Sequence, residues 1–191
     1  MFSAGGGCDR AVAARCCAAW GGFGGLLPVL TSGHVSFGTR GGVFAACVRS
    51  AVLRGGGAWA PGASGLRRLR GSGRAVIGWV CGAGLEGGIS SAVLHRKLDV
   101  DEITAVLRTQ RLGWCGHVRR ATSCINSIAR LGVPGTRGRG RPGETWSACV
   151  GNDMTVCSLD GVGPLDRSSW RAGVRRCQVL PTPESGTTAA P

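Results

Sequence analysis

Tyrosine is absent from this chain, lysine occurs once (Lys97), and acidic side chains number only ten in 191 residues. The net charge of +13 at neutral pH is therefore carried almost wholly by arginine. Adjacent aspartates are missing as well. Two-metal phosphoryl transfer needs carboxylates to hold its cations, so such a reaction centre is excluded. Asp99, Asp101 and Glu102 form the one acidic cluster, and their place at a helix start gives them a structural task. The ten cysteines contain no tandem Cys-x2-Cys spacing, and no basic segment leads into an apolar run at the amino terminus. Nor does any stretch reach the ~18 uninterrupted apolar residues of a membrane span. These absences predict an intracellular protein, nuclear or cytoplasmic, with reduced thiols, no signal peptide and no membrane partner.

Glycine is what the chain has in excess: 35 residues, 23 of them before position 100. Each costs a helix roughly 1 kcal/mol relative to alanine, which predicts a marginally stable first half. Apolar spacing is nevertheless helical nearly everywhere. Val12, Cys16, Trp20, Phe23 and Leu27 make a first helix behind an Asp9 cap, with Gly21, Gly22, Gly24 and Gly25 fraying its second half. Val43, Phe44, Cys47, Val48, Ala51 and Val52 make a second. Leu66, Leu69, Val76, Ile77 and Val80 make a third, flanked by Arg67, Arg68, Arg70 and Arg74. A short helix from Ser90 and Ser91 buries Leu94 and Leu98. Asp99 and Glu102 have capping-box spacing before the clearest helix, whose apolar stripe is Ile103, Val106, Leu107, Trp114 and Val118. Trp146, Cys149, Val150, Met154 and Cys157 form another, and Asp166 caps a last one carrying Trp170 and Val174.

The fold class is therefore mainly α: small helical bundles with glycine-rich, partly disordered connections and a disordered carboxy-terminal tail. The expected division is residues 1–98, 99–178 and a tail over 179–191, whose proline, threonine and alanine cannot build a core. No strand pattern and no internal repeat is present.

Arg137-Gly138-Arg139-Gly140-Arg141-Pro142 puts three guanidinium groups on a flexible backbone. Arginine forks match phosphate oxygens, and glycine permits close approach to a groove. Arg108, Arg111 and Arg119 share a second face on the clearest helix. These six arginines are the expected nucleic-acid contacts, made to the RNA or DNA backbone. Gly140-Arg141-Pro142 between arginines also resembles an AT-hook, which reads a narrow minor groove.

Taken in order, the motifs resemble the carboxy-terminal region of non-LTR retrotransposon reverse transcriptases. The residues that carry the likeness are Arg111-Leu112-x-Trp114-x-Gly116-His117-Val118, Gly138-Arg139-Gly140-Arg141-Pro142-x-x-x-Trp146, Asp153-Met154 and Asp166-Arg167-x-x-Trp170-Arg171. Leu26-Leu27-Pro28-Val29-Leu30-Thr31 and Trp59-Ala60-Pro61 are similar to the thumb of the same family. The intact family protein is an RNA-directed DNA polymerase, usually with an endonuclease domain. The resemblance implies a thumb-like region over 1–98 and a post-thumb region over 99–178. It also implies no catalytic residue here, since that family's carboxylates lie in the palm. Departures run in one direction, with glycine at positions 21, 22, 24, 25, 56 and 57, Cys115 where tyrosine is usual, and Val52 and Val76 where methionine is usual. Each is an adenine-to-guanine change in a codon, which implies a degenerate or adenine-edited copy.

Other chemistry is weaker. Cys115, His117 and Cys124 do not match the spacing of a zinc finger or knuckle, so no metal and no cofactor is expected. The six tryptophans sit on or beside apolar stripes and are assigned to core packing. No Cys/His pair has an orienting partner for nucleophilic catalysis, and no small-molecule substrate is expected. The competing readings are a stand-alone AT-hook-like binder and a translated pseudogene that does not fold.

Overall fold

The computed structural model describes residues 8–83, 88–121 and 145–179. Seven helices make up this part, and no strand occurs among the described residues. Helix α1 (Asp9–Leu30) runs unbroken through the glycines expected to fray it. Val12, Cys16, Ala19, Phe23 and Leu30 form its buried stripe. Gly21, Gly22, Gly24 and Gly25 lie exposed, with open space where a Cβ would stand. Packing of one face outweighs their low propensity.

By length and composition α1 is also apolar enough to cross a membrane, with a mean hydropathy of 1.2. That modifies the expectation of no such segment, because glycine and alanine interrupt the apolar run without lowering its average. Here its apolar stripe packs into the core.

Asp9 does cap a helix, but a different one. Its carboxylate accepts from Gly62 N at 3.1 Å and from the Ser64 hydroxyl, at the start of α3 (Ala63–Cys81). Between them, α2 (Phe37–Val43) begins at a Ser36 cap. It passes through a π-helical stretch, Phe44–Arg49, into a last turn, Ser50–Val52, and buries Phe44, Val48 and Val52. Helix α4 (Ser91–Leu98) starts at Ser90 and buries Leu94 and Leu98 as expected. Asp99 then adopts the left-handed conformation (φ 53°) that ends α4. It is therefore a C-terminal cap, and Glu102 alone precedes α5 (Ile103–Arg120).

Two apolar clusters result. The first gathers α1 to α4 around Leu69, Ile77 and Leu98, and takes Ile103 and Leu107 from α5. The second takes Leu112 and Cys115 from the same helix. It closes them with Val150 of α6 (Trp146–Val156), Leu159, and Trp170 and Cys177 of α7 (Arg167–Val179). Helix α5 thus belongs to both units, and the boundary expected at 98/99 falls ahead of two residues of the first core. Asp166 caps α7 as anticipated, accepting from Ser168 N at 3.0 Å and Ser169 N at 3.2 Å. Cys157 and Cys177 are joined as a disulfide with Cα atoms 5.1 Å apart. This corrects the expectation of wholly reduced thiols: α7 packs on α5 and sets Cys177 against Cys157 at the end of α6, which spacing along the chain did not reveal.

Candidate nucleic-acid interface

Of the expected contacts, Arg111 points inward. Its Nε donates to Asp153 Oδ2 at 2.7 Å and an Nη to Oδ1 at 3.0 Å, a two-pronged pair between α5 and α6. Its remaining Nη donates to Trp59 O at 3.4 Å. The side chain is 8% exposed. Arg108 lies one turn earlier, 11% exposed, with Nε 3.5 Å from the same carboxylate. Its Nη1 is buried and has no hydrogen-bond partner among the described residues. These two guanidiniums, expected at a phosphate backbone, instead hold the two clusters together. The reason is Asp153, 42 residues along the chain from Arg111. Burial pushes the Asp153 carboxyl above the usual carboxylate range, while Arg111, and then Arg108, pull against that rise.

Two indoles reinforce the same seam. Trp146 Nε1 donates to Gly57 O at 2.8 Å, and Trp170 Nε1 to Leu112 O at 3.1 Å. Close approach requires glycine at both ends. A Cβ on Gly57 would stand 2.8 Å from the Trp114 Cβ, and one on Gly116 would stand 2.5 Å from Trp170 Nε1. Core packing is correct for Trp170, at 1% exposure, but Trp79 is 62% exposed. Trp20 and Trp114 also show a large part of their surface.

Arg119 is exposed on the last turn of α5. Arg137, Arg139 and Arg141 lie outside the described residues, as does Cys124. Cys115 is buried, and its thiol is raised by that burial. His117 is exposed and stacks on Trp114 at a 5.3 Å centroid distance, so the two point away from a shared ligand.

The acids explain where the field of the molecule points. Asp9 holds the start of α3, and Glu102 pairs with Arg70 at 3.3 Å. Asp153 is enclosed by arginines, and Asp166 is bound to its own helix. These four carboxylates are engaged in holding the fold, Asp99, Asp101 and Asp160 are exposed, and Arg67, Arg68 and Arg74 of α3 stand exposed as well. So do Arg96 and Lys97 of α4, and Arg171, Arg175 and Arg176 of α7. Among the described residues no three His, Cys, Asp or Glu side chains converge as metal ligands would. No protein-family model, curated protein or solved structure matches the chain.

Proposed function

We propose that this protein binds the backbone of nucleic acid without chemistry of its own, as a degenerate relative of the thumb and post-thumb region of a non-LTR retrotransposon reverse transcriptase. The observation that carries this reading is the division of charge. Asp9, Glu102, Asp153 and Asp166 are taken up in contacts that hold the fold, and exposed guanidiniums on α3, α4, α5 and α7 project into solvent. A surface of that kind attracts polyanions and releases their counterions on binding. The role is to grip a template–primer duplex of RNA or DNA through phosphate, inside the cell. The four exposed glycines of α1 support the degenerate part of the reading, whereas Gly56 and Gly57 are hemmed in by Leu107, Gln110 and Trp114. At Gly21, Gly22, Gly24 and Gly25 nothing in the fold demands glycine, as expected where other side chains once stood.

The test is the salt dependence of binding to a random-sequence duplex. Wild-type affinity should fall steeply between 50 and 200 mM salt on the order of the phosphates neutralised. Joint replacement of Arg137, Arg139 and Arg141 by alanine should weaken binding and flatten that slope. Affinity unchanged at low ionic strength would remove these residues from the interface. Failure of the wild-type chain to bind at all would end the proposal.

A further inference from the structure

A concavity lies between α3 and α4, away from the Arg111 seam. Its volume is about 430 Å³, and its walls include Trp79, Ala75, Ile89 and Leu94, with Arg74 at the edge. That volume is in the range of small-ligand sites, which are roughly 300–1,000 Å³ and mostly apolar with few polar groups. Trp79 presents its indole here at 62% exposure, since Val76, Ile77 and Val80 occupy the buried arc of the helix. Gly71, which also lines the groove about two turns before the indole, has no atom within 4 Å of a notional Cβ, so the floor is open there.

Arg74 is steadied by donation from one Nη to Ile89 O at 2.8 Å. A guanidinium has five N–H donors, and this bond fixes the plane in which the others are offered. Arg67, Arg70 and Arg74 follow one another at steps of three and four along α3, which aligns them on one face. Arg67 and Arg74 are separated by about 10 Å along the helix axis. Arg70 is tethered to Glu102 between them. A positive row therefore leads to an apolar slot walled by an exposed aromatic ring.

We infer that this groove takes an unstacked base of a single-stranded nucleic acid, stacked on Trp79, with the adjoining phosphate on Arg74 and one further along the strand on Arg67. Charge complementarity selects a polyanion. The slot then selects one whose planar, weakly polar groups are free to leave a helix. Duplex bases remain paired and cannot enter, so the groove distinguishes the two forms. The inference rests on the backbone-binding proposal above, to which it adds the strandedness of the ligand.

The experiment measures anisotropy of a labelled fifteen-residue oligo(dT) and a labelled fifteen-pair duplex with the full chain. Wild type is compared with Trp79→Ala and Gly71→Leu. Trp79→Ala should weaken oligo(dT) roughly tenfold, within the range of one lost base–aromatic stack, and leave the duplex within about twofold. The salt slope should not change, since no phosphate contact is removed. Gly71→Leu should reproduce the loss by filling the floor. It also replaces an exposed helical glycine by a better helix former, so unfolding would not account for the result, and unchanged helicity by circular dichroism checks this. If both variants keep wild-type oligo(dT) affinity, or lose both ligands equally, the groove assignment is overturned while backbone binding stands. If wild type binds neither ligand, both proposals fall.

Discussion

The two apolar clusters are built by different means. The first buries seventeen side chains, nearly all aliphatic or aromatic, from five helices. The second buries seven, three of them cysteine, and adds a disulfide, a tryptophan hydrogen-bonded to a carbonyl and an arginine–aspartate pair at its edge. A core of the first size holds by area removed from water, even with four glycines on the outer face of α1. A core of the second size lacks that area and needs staples. Arginine in this molecule is therefore placed in two ways: inward, as Arg111 at the edge of the small cluster and Arg40 beside the large one, and outward into solvent.

The sharpest way to break this contrast is Asp153→Ala. It leaves Arg108 and Arg111 buried without their counter-charge and should cost about 3–5 kcal/mol in urea unfolding. A loss below about 1 kcal/mol would show that the seam does not join the clusters. Reducing the Cys157–Cys177 disulfide should cost the second cluster about 3 kcal/mol, from the entropy of a loop of this length. Hydrogen exchange would then quicken in α6 and α7 while α1 and α3 stay as they were.

Glycine substitutions sharpen the comparison further, since their sign should differ between regions. Gly116→Ala presses on Trp170 and should destabilise by about 1–3 kcal/mol. Gly24→Ala meets nothing within 4 Å and should stabilise by up to about 1 kcal/mol. Thermal melts of the two variants decide it.

The smallest effect is one of pH. Hydrogen bonds from Ser168 and then Ser169 lower the exposed Asp166 carboxyl from 3.8 to about 2. A depressed carboxylate contributes stability that is present above pH ~4 and lost as pH falls through about 2. Burial gives Asp153 the opposite slope, because its folded state holds the proton more tightly. The difference between wild type and Asp166→Ala isolates the first effect, as helicity lost between pH 4 and 2 in wild type alone.

Helix positions were legible because apolar side chains recur at helical spacing, and the starts at Ser90 and Asp166 because capping is local. What crossed between elements was not. Asp9 opens one helix and caps the start of another 53 residues away. Asp99 has the spacing of an opening cap, yet its backbone is left-handed and closes the preceding helix. Arg108 and Arg111 look like a solvated basic face until α6 delivers Asp153 against them. Trp79 neighbours an apolar stripe in sequence, but Val76, Ile77 and Val80 already occupy the buried arc and leave the indole outside. The likeness to reverse transcriptases names the arginine-glycine stretch, whereas the open groove on α3 follows from packing alone.

Helix α5 has a consequence for the order in which the protein is made. During synthesis its first turns can settle against α1 to α4 as soon as Leu107 emerges, before α6 or α7 exists. The later turns then wait as a preformed rail, with Leu112, Cys115 and Gly116 set at fixed intervals to receive Trp170. The small cluster is thereby built on an edge that the large one already holds.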